Sequence, residues 1–180
     1  MITEWLSTAD RVQLLEVYAR SVMLLELGRC TEWVDLFLPQ ALVRCAGARG
    51  QTPIEFKGRD ELLVLGRRLM CGEFDIAAGS NVPPLRCRNI LSNITLFGNE
   101  ARRAAGYAFL TVTTIGGREP PRWLASGAYS DRLFKCPAGS WRFESRMFIA
   151  DGAEGAVLSA NHAVTAGAKE AVKGIESRRS

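Results

Sequence analysis

The chain has 180 residues, of which 47% are hydrophobic and 23% charged, a composition that is typical of a globular domain and excludes disorder over most of the length. The formal net charge is +4, but the basic residues lie singly or in pairs, so neither nucleic acid nor a membrane is expected as a partner. The polar, acidic start is unlike a signal peptide, and the sequence predicts a cytoplasmic protein.

The first predicted helix begins after Ser7, whose spacing to Asp10 resembles a capping box, and ends at Gly28. Apolar residues at intervals of three and four predict its buried face, which comprises Val12, Leu15, Ala19 and Val22 and is widened by the flanking Leu14, Tyr18 and Leu25. A second short helix is predicted to place Trp33 and Phe37 on one side and to close at Pro39. A third is predicted from about residue 60 to residue 70, with Leu62, Leu65 and Leu69 facing inward.

Beyond a predicted loop over residues 72–84, the hydrophobic period changes to two, which predicts long strands. Two shorter strands are expected at 41–46 and 54–56. The long strands are predicted at Arg86–Phe97, Ala101–Ile115, Arg122–Lys135 and Trp141–Ala150, with a tight turn at Gly98–Asn99 between the first two. Three helices before one strongly bent antiparallel sheet make an α+β domain over residues 1–151, and residues 152–180 are expected to form a loosely ordered or helical tail.

Glu26 is the most informative ionisable residue, because it continues the predicted buried face of the first helix by one further step of four. Removal from water would favour its protonated form and suit it to general acid or base chemistry. The alternative is structural: Glu26 reaches outward at the helix end or pairs with an arginine.

Asn89 and Asn93 are predicted on one face of the first long strand, where they would orient a ligand or satisfy backbone groups near a bulge or an edge. Asp131 and Arg146 are expected to pair across the last two strands, most simply as a structural salt bridge. Aromatic residues either line a cavity or form ordinary core; they are Tyr18, Trp33, Tyr107, Phe109, Trp123 and Tyr129.

The five cysteines contain no close pair, and the only histidine is His162, in the tail. A structural zinc site needs four Cys or His ligands, commonly in close pairs. We therefore expect no metal and no organic cofactor, and histidine acid–base chemistry is nearly excluded from the folded core.

Over about residues 8–151 the ordered motifs resemble SnoaL-like proteins of the NTF2-like superfamily. The resemblance rests on Tyr18…Glu26-Leu27-Gly28…Trp33…Leu36-Phe37, on Phe56-Lys57-Gly58-Arg59-Asp60-Glu61-Leu62, on Arg88-Asn89-Ile90-Leu91-Ser92-Asn93, and on Gly127-Ala128-Tyr129-Ser130-Asp131 followed by Trp141-Arg142-Phe143 and Arg146. It implies an α+β cone with a deep apolar pocket, in a homo-oligomer such as a dimer or trimer.

Relatives similar to scytalone dehydratase use an Asp–His pair in that pocket. The acidic position falls on Glu26 and the histidine position on Asn89, an amide that takes up no proton near neutral pH. The resemblance thus implies a cofactor-independent dehydratase or isomerase acting on a hydrophobic, cyclic or polyketide-like substrate, with Glu26 and Asn89 as catalytic residues. The implied substrate-binding residues are Tyr18, Val22, Trp33, Phe37, Asn93, Tyr107, Phe109, Trp123 and Tyr129.

Two alternatives lack catalysis. The chain also resembles the structural β subunits of aromatic-ring-hydroxylating dioxygenases, which partner an iron-containing α subunit, through Leu24-Leu25-Glu26, Ser92-Asn93-Ile94 and the ending 146–151. The other alternative is a ligand-binding NTF2-like protein without turnover.

Overall fold

The computed structural model describes residues 6–46, 53–70, 86–100, 102–115 and 120–151. The predicted loop over residues 72–84 and the tail over 152–180 lie outside these ranges. The helices are α1 (Thr8–Glu26), α2 (Cys30–Val34) and α3 (Gly58–Met70). The strands are β1 (Phe37–Ala46), β2 (Ile54–Lys57), β3 (Cys87–Glu100), β4 (Arg103–Thr114), β5 (Trp123–Lys135) and β6 (Trp141–Ala150).

The limits of α1 follow local sequence signals. The Asp10 backbone N–H donates to Ser7 Oγ at 3.1 Å, and this satisfies one of the unpaired donors of the first turn. At the other end, Gly28 adopts a φ of 71° and the Arg29 N–H donates to the Leu24 carbonyl at 2.8 Å, as in a helix-ending reversal. Both predicted helix limits are confirmed.

The predicted buried face of α1 is wrong for Val12, Leu15 and Ala19 and right for the flanking Leu14, Tyr18 and Leu25. Val12 is 57% exposed and Leu15 is 44% exposed. The buried side chains lie on the other side of the helix and are Leu14, Val17, Tyr18, Ser21, Leu24 and Leu25. Because α1 carries apolar residues on both sides, periodicity alone does not decide which side meets the sheet.

The second helix is shorter than predicted, and Phe37 belongs to β1. The Phe143 N–H donates to the Leu36 carbonyl at 2.9 Å, so the chain has already joined β6 at this point. Pro39 consequently lies within β1 and does not close a helix. Pairing with a distant strand overrides the local helix signal.

The strands form one curved, unclosed sheet in the order β2-β1-β6-β5-β4-β3. Strand β1 runs parallel to β6, while all other neighbouring strands are antiparallel. The prediction of a purely antiparallel sheet is therefore wrong for one pair. These two strands are far apart in sequence, and hydrophobic alternation within each strand carries no information about its partner.

Bulges alter which side chains share a face of the long strands. The β3–β4 register shifts between Ser92 and Thr95, and Asn93 in this bulge has a φ of 52°. Such bulges bend a strand and increase its twist. The predicted turn at residues 98–99 is also wrong, since β3 continues to Glu100 and Arg102, with a φ of 71°, lies in the turn.

The three helices pack on one face of the sheet, and the core lies between them. An aromatic row occupies its centre: the Trp33 and Phe37 ring centres are 4.8 Å apart, and Phe37 and Phe143 are 5.1 Å apart. Tyr18 meets Phe143 edge-on at 5.5 Å. This row joins α1 and α2 to β1 and β6.

Asp10 fastens the start of α1 to the sheet. Its Oδ1 accepts hydrogen bonds from Lys135 Nζ at 2.7 Å and from Trp141 Nε1 at 2.9 Å. The hydrogen bond from Lys135, helped by those from Ser7 and Trp141, lowers the pKa of Asp10 to about 2. The carboxylate is therefore charged in the folded protein down to strongly acidic pH.

We expect D10N to lower the free energy of unfolding by about 1 kcal/mol at pH 7. Because folding lowers the pKa of Asp10, this contribution is complete above about pH 4 and is lost as the pH falls through about 2. Urea unfolding of both proteins between pH 6 and pH 2 measures the difference. E16Q, on an exposed part of the same helix, is the control. A D10N deficit that does not shrink at low pH would contradict this role.

Candidate functional site

A buried ion pair lies on the face of the sheet that carries the helices. Asp131 on β5 and Arg146 on β6 are directly opposite in the strand register and are 2% and 4% exposed. Arg146 Nε donates to Asp131 Oδ1 at 3.0 Å, and Nη2 donates to Oδ2 at 2.9 Å. The predicted pair is confirmed, with the bidentate geometry that suits a buried arginine.

Aromatic rings enclose the Arg146 guanidinium. Its central carbon lies 4.0 Å from the Tyr129 ring centre and 4.1 Å from that of Phe143, both within cation–π range. Simple alternation along β6 would put Phe143 and Arg146 on different faces of the sheet. Phe143 lies on the same face as Arg146 because the β5–β6 register shifts beside it. Burial by itself would lower the pKa of Arg146, but the charge and hydrogen bonds of Asp131 raise it above its usual value.

Tyr18 covers the same group from α1. It is fully buried, and burial raises the pKa of its phenol. Among the described residues its hydroxyl has no hydrogen-bond partner. A Cβ atom placed on Gly106 of β4 would lie 2.2 Å from the Tyr18 hydroxyl oxygen, so the glycine makes room for the phenol.

An apolar cavity adjoins the ion pair. The volume available to the centre of a water molecule is about 20 Å³, which is enough for one water. Side chains must therefore move before a larger ligand can enter. The cavity lies between the helices and the sheet and is lined by Trp33, Val43, Cys45, Leu65, Leu69, Leu110, Tyr129, Arg146 and Phe148. Apart from Cys45, Tyr129, Arg146 and the Trp33 indole, these side chains are wholly hydrocarbon.

The ionisable groups of this lining favour binding over proton transfer. Burial raises the pKa of Cys45 to about 11 and that of Tyr129 to about 12. Arg146 remains charged for the reason given above. None of these three groups exchanges a proton readily near pH 7, where a general acid or base would need to titrate.

Glu26 lies at the end of α1, outside the residues that line this cavity. The Glu26 side chain is 22% exposed. The whole residue, backbone included, is exposed. Oε1 accepts from the Asn89 backbone N–H at 2.7 Å, and Oε2 lies 3.1 Å from Arg88 Nε. This contact matches the structural alternative, pairing with an arginine, and ties α1 to the edge strand β3.

The two predicted asparagines are placed differently from each other. Asn89 is half-buried and lies opposite Val112 in the strand register, on the helix side of the sheet. Asn93 is exposed at the β3 bulge, where its positive φ is one that asparagine tolerates better than most residues. A bulge is the setting in which the alternative role of Asn93, satisfying backbone groups, was expected.

The structure brings together only part of the predicted binding set. Trp33 and Tyr129 line the cavity, and Tyr18 and Phe37 pack beside it in the core. Val22 is half-buried on α1.

Three further aromatic residues of the predicted set lie away from the cavity. Tyr107 and Phe109 point to the opposite face of the sheet, and their ring centres are 5.5 Å apart. Phe109 is 42% exposed. Trp123, at the start of β5, is 73% exposed.

Several lining residues were not predicted as site residues. Leu65 and Leu69 of α3 carried a signal, since helical spacing places both on one side. Val43 and Cys45 reach the cavity because β1 lies beside β6, a pairing with no local signature. Arg146 was expected only as the partner of Asp131.

Within the described ranges, no cluster of three or more His, Cys, Asp or Glu side chains could hold a metal ion. The described cysteines Cys30, Cys45, Cys87 and Cys136 form no disulfide with one another. None of the described helices has the length and apolar character needed to cross a membrane.

Solved structures with the same architecture include Aln2 from a Streptomyces species, which is 20% identical, with a TM-score of 0.66 over 87% of this chain and 99% of that one. An NTF2-like protein with a cystatin-like fold from Novosphingobium aromaticivorans is 22% identical, with a TM-score of 0.62 over 81% and 84% of the two chains. A protein from the same organism, described as the beta subunit of a putative aromatic-ring-hydroxylating dioxygenase, is 19% identical, with a TM-score of 0.59 over 81% and 92%.

These structures confirm the NTF2-like fold and carry no activity over to this chain. No curated protein matches the sequence. The profile of the SnoaL-like domain matches residues 7–147, which is most of the chain. The protein therefore belongs to the SnoaL-like domain family.

Proposed function

We propose that the protein binds a small hydrophobic, cyclic molecule in the cavity between Trp33 and Tyr129. The observation that carries this proposal is the cavity itself, an almost wholly apolar space beside a rigidly held guanidinium. Ligand pockets typically combine apolar walls with a few fixed polar groups of this kind. A SnoaL-like fold supports such a pocket, and polyketide-like rings are the ligand class that the family resemblance implies.

Ligand-observed NMR with 1-indanone, a small bicyclic ketone, tests the proposal. We expect saturation transfer from the protein to the ring protons, and L69W should abolish it by filling the cavity from α3. Leu69 is half-buried and lines the cavity, whereas Leu63 is half-buried on the same helix without lining it. L63W is therefore the matched control, and equal loss of signal in both variants would contradict binding in this cavity.

Turnover at Glu26 is a second candidate function. It is favoured by the Glu26 carboxylate, which belongs to a side chain that is 22% exposed and accepts a hydrogen bond from the backbone N–H of Asn89. In this proposal the protein is a cofactor-independent dehydratase or isomerase in which Glu26 carries the proton and the Asn89 amide polarises a carbonyl. A ligand would have to reach Glu26 from the cavity described above.

Deuterium exchange at the carbon next to the carbonyl of 1-indanone tests this chemistry without knowledge of the natural substrate. If Glu26 abstracts that proton, we expect the wild type to accelerate exchange in D₂O and E26Q to lower the rate by about 10²- to 10⁴-fold. R88Q removes the neighbouring arginine and should keep most of the rate. Equal exchange with the wild type and E26Q would remove Glu26 from the mechanism.

A structural role beside a larger oxygenase subunit is the remaining alternative, favoured by the likeness to the dioxygenase beta subunit. It predicts that the protein co-purifies with an iron-containing α chain from its native source. If no such α chain is present, we propose that the chain forms a homo-oligomer, either a dimer or a trimer. Light scattering on the purified chain shows whether it forms this oligomer by itself.

A further inference from the structure

Trp33 carries a buried hydrogen-bond donor that nothing in the described structure satisfies. The residue is 2% exposed and lines the cavity, and its indole Nε1–H has no hydrogen-bond partner among the described residues. Most buried donors in folded proteins are paired, and leaving one unpaired costs stability. The indole N–H can only donate, so its missing partner must be an acceptor.

The Trp33 ring is fixed in place by its neighbours. Phe37 lies 4.8 Å away between ring centres, and a Cβ atom on Gly66 would lie only 3.0 Å from Trp33 Cε3. The indole is therefore packed between β1 and α3, and its N–H keeps one direction. A donor held in this way binds an acceptor without the entropy cost of ordering a side chain.

The second strong polar group of the cavity is also a donor. Arg146 has five N–H groups, of which Asp131 accepts two and Ser21 Oγ lies 3.5 Å from Nη1. Asp131 already balances the Arg146 charge, so a charged ligand would enter an apolar space without a free counter-ion. The polar groups beside the cavity are thus donors, which suit an uncharged acceptor.

We propose that Trp33 is a specificity-determining ligand contact, whose N–H donates to an uncharged carbonyl-type oxygen of the bound ring molecule. This inference rests on the proposed binding function and narrows the ligand to ketones, quinones or lactones over hydrocarbons and carboxylates. Binding would widen the small cavity and bring the oxygen to an N–H that protein atoms now cover.

Titration of ¹⁵N-tryptophan-labelled protein with 1-indanone, indane and indane-1-carboxylate tests the inference. The chain has four tryptophans, and the W33F spectrum assigns the Trp33 indole resonance by its absence. We expect 1-indanone to bind about fivefold tighter than indane or the carboxylate and to move the Trp33 indole proton downfield. The Trp141 indole, which already donates to Asp10, should stay in place.

The preference for the ketone should disappear in W33F and persist in W141F, a matched replacement outside the cavity. If indane and 1-indanone bind equally to the wild type, or if the ketone leaves the Trp33 resonance where indane leaves it, the inference is overturned while the binding function stands. If neither compound binds at millimolar concentration, the binding function and the inference both fall.

Discussion

R146M should lower the free energy of unfolding by about 3–5 kcal/mol, the cost of leaving one partner of a buried ion pair alone. The Asp131 side chain is fully buried, and Arg146 supplies both of its bidentate hydrogen bonds. Methionine keeps much of the length and apolar contact of the arginine, so the loss reports mainly on the uncompensated carboxylate. Urea denaturation at pH 7, with the slope against urea checked for constancy, measures the change.

The double variant R146M/D131L separates the charge from the packing. Replacing both partners by apolar residues of similar size is often neutral or stabilising, because the charges no longer have to be desolvated. We therefore expect the double variant to recover most of the stability that R146M loses. A double variant as unstable as R146M would show that the contacts of Arg146 with Tyr129 and Phe143 matter more than its charge.

G106A should cost about 1–3 kcal/mol of stability, the range typical of overpacking in a core. The added Cβ would lie 2.2 Å from the Tyr18 hydroxyl oxygen and 3.1 Å from the ring carbon that carries it. Tyr18 cannot swing away easily, since it is fully buried and its ring packs against Phe143.

Y18F provides the internal control for this clash. The Tyr18 hydroxyl has no hydrogen-bond partner among the described residues, so its removal alone should be nearly neutral or slightly stabilising. The Y18F/G106A double variant should then lose clearly less stability than G106A does alone. Additive losses, measured by thermal and urea unfolding of all four proteins, would contradict the close contact between this phenol and β4.

Local sequence signals predicted the elements but not all of their partners. Ser7 and Gly28 delimit α1 through capping chemistry that acts within a few residues, and alternation located the long strands. Pairing of β1 with β6 and the bulge at Asn93 depend on contacts between distant segments. These long-range contacts decide sheet order and which side chains share a face, and no short pattern encodes them.

The candidate site shows the same division. Asp131 and Arg146 were predictable as a pair because oppositely charged residues on adjacent strands attract. Glu26 was predicted on a buried face because it continues one of the two apolar sides of α1. The helix turns its other apolar side to the core. Trp33 and Tyr129 were predicted as aromatic lining together with Tyr107 and Phe109, but the pleat of β4 sends the last two to the opposite face.

A crystal structure of the protein soaked with 1-indanone tests the central claim most directly, because it shows which face of the sheet accepts a ring molecule. Density for the ketone between Trp33 and Tyr129, with its oxygen within hydrogen-bond distance of Trp33 Nε1, is the predicted result. Density only at Tyr107 and Phe109, with the cavity beside Arg146 unchanged, would contradict it.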